Sequence, residues 1–437
     1  MIIEALEKVL AGEDLTCAQA DAVADEIASG RASIMQVCAL LTALDMKGAT
    51  KDETCILKAG GDRASEQSAQ CNLPTKESSS PGEFLGLANM LVGQGNDMSR
   101  REAENAMEDI LCGQAYDSQI AQFLAALRFK GETVNELVGF ASAMRRHATP
   151  IFAPDHKAPH PLVDTCGTGG DARGTFNVST AAAFVVAGAG VHVAKHGNRS
   201  ISSKCGSADV LEALGVRIDL APERVGQAIE EIGIGFLFAP AVHAATRHAM
   251  PVRRELKIRT VFNLLGPLTN PAGASAQVAG VYDAGFTELL ARALDKLGVR
   301  RAFVVHGADG LDEVSTSGDT SVAELRDGAV RSYTVTPEDF GVPRAPLEAI
   351  RGGDAANNAE IVHRILGRAG HAPERGPRRD IVLANAAAAL VAAGRAKDFL
   401  EGIRCAAQSI DSGAARARLE ALIDFTGSEQ SFGQTSA

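Results

Sequence analysis

Residues Asp164 to Gly190 read DTCGTGGDARGTFNVSTAAAFVVAGAG. The stretch starts at the end of a β-prone run, LVDT, passes through a glycine-rich turn and opens an Ala- and Val-rich segment of helical length. It reads as a strand, a turn and a buried helix. The glycines of GTGGD permit positive φ and close approach of a ligand to main-chain N–H groups. Asn177 to Thr180 bring amide and hydroxyl groups to the first helical turn, where the helix dipole and open N–H groups suit a phosphate. The stretch is neither GxxxxGK[ST] nor a GxGxxG in its usual dinucleotide setting. A strand-to-helix turn with a plain N-cap would look the same, so the ligand stays open at this point.

Working outward, the runs VHVAKH, IGFLF and AFVVHG alternate with Ala-rich helical stretches, the pattern of a mainly parallel sheet covered by helices. The first of these runs leads into KHGNRSISSKCGSAD. Residues 195 to 204 hold Lys195, Arg199 and Lys204 and no acid, in a chain of net charge −11, with Ser200, Ser202, Ser203 and Ser207 in or beside them. Loops after successive strands are where an open α/β sheet holds its ligands. A solvated basic loop is the plain alternative, but two such loops together favour an anionic phosphate ligand. After AFVVHG, the loop GADGLDEVS offers Asp312 and Glu313. Alone they read as a solvated acidic turn. Beside a phosphate site they suit Mg²⁺, which binds through oxygen, water and the substrate's own phosphates. PVRRELKIRTVFNLLGPLTNPA adds Arg253 and Arg254, either of which could fork onto a carboxylate.

The 437 residues correspond to about three domains, and 46% hydrophobic with 22% charged residues is an ordinary globular balance. No apolar run reaches the ~18 residues of a membrane span, and the first twenty residues carry acids with no basic n-region, so neither a membrane nor a secreted protein is expected. Eight cysteines show no CxxC pair, which suggests reduced thiols in a cytoplasm and no Zn cluster. The acidic total argues against a nucleic-acid binder.

The front of the chain repeats itself. The segment from Leu6 reappears from Leu87, and between Asp14 and Glu53 the offset is a constant 83, with 13 of 40 positions identical. Each copy has the three- and four-residue apolar spacing of helices, with Thr16 and Ser99 as N-caps and Gly30, Gly48, Gly113 and Gly131 as stops. Residues 58–83, poor in large aliphatics and rich in Ser and Gly, read as a flexible linker. Together with the family resemblance given next, this implies an extra helical segment over 1–57, the linker, a helical domain over 84–155 with helices added from later in the chain, an α/β catalytic domain over 156–427 and a tail over 428–437.

Taken together, DTCGTGGDARGTFNVST, KHGNRSISSKCGSAD, PVRRELKIRTVFNLLGPLTNP and DEVS resemble, in order, the motif set of the anthranilate phosphoribosyltransferase family, over residues 84 to 427. The resemblance implies a small all-helical domain joined to a larger α/β domain of the nucleoside phosphorylase and phosphoribosyltransferase class. It implies Mg²⁺, a homodimer joined through the helical domain, and transfer of ribose 5-phosphate from PRPP to anthranilate in tryptophan biosynthesis. By matched position, Gly167, Gly170, Asp171, Thr175, Asn177, Val178, Ser179 and Thr180 resemble the PRPP loop. Lys195, His196, Gly197, Asn198, Arg199, Ser200, Ile201, Ser202, Ser203 and Ser207 resemble its second wall. Ser179, Asp312 and Glu313 resemble the metal set; Gly167, Asn198 and Arg253, with His196 nearby, resemble the anthranilate contacts. A pyrimidine nucleoside phosphorylase and a non-enzymatic nucleic-acid-binding relative are the competing classes. The first would not be expected to combine KHGNR with DEVS, and the second should show a basic surface and an eroded acidic pair. The family has one helical segment where this chain has two. The extra copy is expected to dock on a helical face without a catalytic part, leaving the dimer in place.

Overall fold

The computed structural model describes residues 1–68, 82–153, 155–156, 158–171, 173–200, 204–368 and 370–428. Eight helices come first: α1 (Ile2–Leu10), α2 (Cys17–Ala28), α3 (Ile34–Lys47), α4 (Thr54–Ser68), α5 (Glu83–Gly93), α6 (Arg100–Leu111), α7 (Asp117–Lys130) and α8 (Val134–His147). The chain then runs β1 (Leu162–Gly167), α9 (Val178–Gly188), β2 (His192–Gly197), α10 (Ser207–Ala213), α11 (Pro222–Ile232), β3 (Ile234–Phe238) and α12 (Ala239–Val242). Two short helices follow, α13 (Met250–Leu256) and α14 (Val261–Leu265), before β4 (Ala276–Gly280), α15 (Phe286–Lys296) and β5 (Arg301–Gly307). The last elements are β6 (Thr320–Arg326), β7 (Ala329–Val335), α16 (Ala355–Leu366), α17 (Pro377–Ala392), α18 (Phe399–Asp411) and α19 (Ala414–Gly427). No helix among the described residues is long and apolar enough to cross a membrane.

These elements form two compact units, Met1–His147 with Ala244–Leu265, and Ala148–His243 with Gly266–Ala437. In the helical unit the repeat is structural and keeps an offset of 83 back to the first turn. The Ile2 N–H donates to Glu26 (3.2 Å) as the Leu85 N–H donates to Asp109 (2.9 Å). The true partner of Leu85 is therefore Ile2, and the pairing of Leu6 with Leu87 suggested by sequence is two residues out of step. Thr16 and Ser99 each cap a helix and receive a side chain back from Gln19 and Glu102. Gly48 and Gly131, both at positive φ, end α3 and α7. Lys47 bridges Asp14 and Glu53, and Glu53 also accepts the buried N–H of Leu15 at 2.9 Å. Lys130, Asp97, Glu136 and Met98 repeat the clasp, with 3.0 Å for the Met98 contact.

The expected linker requires correction. Residues 58 to 68 continue α4, which packs against α2 as α8 packs against α6. Ile56 is fully buried, and a Cβ on Gly60 would fall 2.8 Å from Leu41 Cδ1, so this glycine lets two helices approach closely. Residues 69–81 lie outside the described residues, as do the last nine of the expected tail, and Gly82 and Glu83 cap and open α5. The helical domain also ends earlier than 155. Thr149 N–H donates to Val242 O, and Ile151 packs with Leu162, Ala194 and Leu220 in the second unit.

The second unit is a seven-stranded sheet in the order β3-β2-β1-β4-β5-β6-β7. The first five strands pair in parallel, and β6 and β7 are antiparallel. Buried runs such as Val163, Val193 and Phe236 lie under α9, α17 and α19, whose Ala, Val and Leu side chains fill the same core. The order reverses at β1: β2 lies on one side and β4 on the other. At such a switch point the connections from adjacent strands leave on opposite faces of the sheet and open a crevice at the carboxyl ends, the usual ligand site of an open α/β sheet.

Candidate active site

Three loops leave the sheet at that crevice. The loop after β1 runs from Thr168 to Asn177, with Gly169, Gly170 and Gly174 at positive φ, and delivers the chain to the N-terminus of α9. The connection after β2 starts at Asn198 and leads to α10. The loop after β5 carries Asp312 and Glu313 and is drawn onto the first: Asp312 Oδ2 accepts the Gly169 N–H (2.9 Å) and Glu313 Oε1 accepts the Ser179 N–H (3.1 Å). Asn385 on α17 holds this acidic loop from behind, accepting the Val314 N–H (2.9 Å) and donating to Val314 O (3.0 Å).

The electrostatics mark the place. Burial, then the neighbouring Asp171 carboxylate, pushes Asp312 up to about 7. Burial, then Asp312, pushes Glu313 up to about 8. Asp171 is also raised, by burial first. Three crowded acids with a serine hydroxyl beside them are a hard-oxygen set, and their mutual repulsion is relieved by a divalent cation. The donor set of Ser179, Asp312 and Glu313 fits Mg²⁺.

Lys195, on β2, is buried and lowered by desolvation, against which Asp164 is the largest opposing influence. Its ammonium donates to Thr165 O and, at 3.4 Å, to Ser179 Oγ. It thus places a positive charge behind the first turn of α9. His196 is held well below neutrality, at about 3, by burial and then by His243, whose ring centroid lies 5.1 Å away. Its Nδ1 faces Gly266 O at 3.2 Å, and a carbonyl can only accept, so Nδ1 carries the hydrogen. His196 Nε2 is then an acceptor, and it is buried without a hydrogen-bond partner among the described residues. Thr180 Oγ1 is likewise buried without one.

Asn198 closes the β2 loop, its N–H bonded to Ser207 Oγ at 3.2 Å. A Cβ on Gly197 would collide with Ser207, so only glycine allows this approach. Arg199 turns away from the role its charge suggested: its guanidinium binds Asp209 and Glu212 on α10, which leaves its main chain for the loop wall. Ile201, Ser202 and Ser203 lie outside the described residues. Arg253 belongs to the helical unit, on α13, half-buried, with its guanidinium 5.1 Å from the Phe262 ring centroid and no carboxylate partner among the described residues.

Sequence reasoning missed the groups behind these loops. Asp164 is fully buried, accepts the His196 N–H (3.1 Å) and binds Asn270 (2.8 Å), which also donates to Ala194 O. These bonds tie β1 to β2 directly beneath Lys195. Asn270 lay in the motif LTNP, where it reads as a turn residue, and the Asn side chain was the available signal.

The chain is also similar to known proteins. Residues 159–416 match the glycosyl transferase family α/β domain, and residues 3–57 and 91–148 both match that family's helical bundle domain. An anthranilate phosphoribosyltransferase of Solibacter usitatus is 59% identical over 331 residues, covering 76% of this chain and 95% of the relative. That of Symbiobacterium thermophilum is 57% identical over 335 residues, covering 77% and 96%. The crystal structure of the Thermus thermophilus enzyme superposes with a TM-score of 0.73 at 44% identity, covering 79% of this chain and 99% of that one. The Saccharomyces cerevisiae enzyme in complex with PRPP and Mg gives 0.69 at 29% identity, covering 79% and 98%. With a matched α/β domain over more than half its length and relatives covered almost end to end, this chain belongs to the anthranilate phosphoribosyltransferase family.

Proposed function

We propose that the crevice at the carboxyl ends of β1, β2 and β5 binds PRPP and anthranilate and forms N-(5-phosphoribosyl)anthranilate with release of pyrophosphate, a step of tryptophan biosynthesis. The observation that supports this most is the docking of the Asp312–Glu313 loop onto Gly169 and Ser179, which sets a cation-binding pair against a phosphate-binding helix N-terminus. In this reading Gly167, Gly170, Asp171, Thr175, Asn177, Val178, Ser179 and Thr180 line one side of PRPP. Lys195, His196, Gly197, Asn198, Arg199, Ser200 and Ser207 line the other. Ser179, Asp312 and Glu313 hold Mg²⁺, which when bound offsets the negative charge that grows on the leaving pyrophosphate.

The chain's own groups do the rest. Lys195, already fixed by hydrogen bonds to Thr165 O and Ser179 Oγ, stabilises the diphosphate without reorganising. Anthranilate's arylamine is neutral at pH 7 and attacks with its own lone pair, so positioning carries most of the rate. His196 is too weak a base to take a proton at pH 7, but its Nε2 accepts an N–H of that amine and aims it. Gly167 and Asn198 border the amine, and Arg253 is assigned to the anthranilate carboxylate. A cytoplasmic location suits eight cysteines without regular pairing.

The test offers PRPP with anthranilate, and separately a pyrimidine nucleoside with phosphate, and analyses the products. Phosphoribosylanthranilate in the first mixture alone supports the reading; free base in the second would replace it with a phosphorylase.

A further inference from the structure

The two copies do more than resemble each other. α3 of the first packs directly against α7 of the second, and these helices occupy equivalent positions in the repeat. α13 lies against both, with Gln36 Nε2 on α3 donating to Glu255 O at 3.0 Å. Their buried positions match at the offset of 83: Val37 with Ile120, Leu40 with Phe123, Leu44 with Leu127. Two faces that descend from one sequence and fit each other have a consequence. Each must also come close to fitting a copy of itself, which is the defining property of an isologous interface.

We infer that residues 1–68 are a built-in partner: they occupy in cis the self-complementary face of α7 through which a chain with a single copy would pair with a second chain, and the full-length protein is therefore a monomer. Two further observations support this. The relatives have length for one copy only, since 331 matched residues span 95% of one of them and 76% of this chain. The extra copy is also dressed for solvent on its outer side. Exposed Glu4 and Glu7 on α1 stand where α5 carries Leu87 and Met90, which are 54% and 64% exposed. The acids keep copy one from offering a second apolar face of its own, so what it covers is the α7 face alone. The expectation that copy one adds a lobe and leaves the pairing face free gives way to this reading.

Sedimentation equilibrium tests it. The full chain is expected at one copy of its 45.5 kDa mass up to tens of micromolar. A variant lacking residues 1–81, whose length matches that of the relatives, is expected at twice its own mass while keeping its activity. A third protein guards against a deletion that fails to fold. Glu53→Ala in the full chain removes the acceptor for Leu15, Thr50 and Lys47, opening copy one without touching the α/β unit. It should show a dimer fraction several-fold above that of the unaltered chain. A full chain that is a dimer, a folded deletion variant that stays monomeric, or a Glu53→Ala chain whose first copy becomes protease-sensitive with no gain in dimer would each overturn the proposal.

Discussion

Gly280, at the end of β4, and Asp312 stand so close that the main-chain oxygen of Asp312 occupies the position a Cβ at 280 would take. On the other side, Asp312 Oδ2 lies 2.6 Å from where a Cβ at Gly167 would sit. The acidic loop is thus seated between two glycines at the ends of adjacent strands, and the absence of side chains there lets it reach α9. Gly280→Ala should push the loop off this seat. Overpacking of this kind costs about 1–3 kcal/mol. Turnover should drop at least ~10-fold and the Mg²⁺ concentration for half-maximal rate should rise, measured by Mg²⁺ titration of the initial rate.

Replacing Asp312 and Glu313 together with Asn and Gln keeps shape and removes the charges. Turnover should fall by at least ~10²-fold, the scale of losing a major electrostatic stabiliser. A double variant with near-normal rate at low Mg²⁺ would show that these residues do not hold the metal.

The same pair predicts a pH-dependent response to metal. Both folded-state values, about 7 and about 8, lie above those of free carboxyls. Without metal the folded protein therefore holds more protons than the unfolded chain from about pH 4 to 8, and its stability falls as pH rises through that window. Mg²⁺ competes with those protons, so its stabilising effect grows as they leave. The melting-temperature increase caused by Mg²⁺ should be larger at pH 8.5 than at pH 6.5. An increase that is larger at pH 6.5 contradicts the assignment.

Arg253→Ala separates the substrates. Its guanidinium is assigned to the anthranilate carboxylate and to no phosphate, and losing a charge-assisted contact costs about 1.5–3 kcal/mol. The KM for anthranilate should rise ~10- to 100-fold while that for PRPP changes little. An equal rise in both would move Arg253 to another role.

Much of this was legible in the sequence where local chemistry carries it. LVDT, VHVAKH, IGFLF and AFVVHG are apolar runs bounded by turns, and they are β1, β2, β3 and β5. AQVAG, with one β-branched residue among Ala, Gln and Gly, does not announce β4, and the antiparallel β6 and β7 depend on pairing with each other and with β5. Gly60 and Gly61 looked like linker because a helix-packing glycine and a flexible one read alike until the neighbouring Leu41 is known. Asp312 and Glu313 stood out in a glycine-flanked loop. Asp164, Asn270 and Asn385 did not, since each supports the site through partners 32 to 106 residues away. The pairing of α3 with α7 is a relation between copies, which an offset reveals only as similarity.

The most direct measurement is the fluorescence of anthranilate mixed with the purified full-length protein, PRPP and Mg²⁺, followed against the same mixture with EDTA. The account predicts continuous loss of anthranilate fluorescence with one pyrophosphate released per anthranilate consumed, abolished by EDTA. Undiminished fluorescence from a folded protein at saturating PRPP and Mg²⁺ would contradict it.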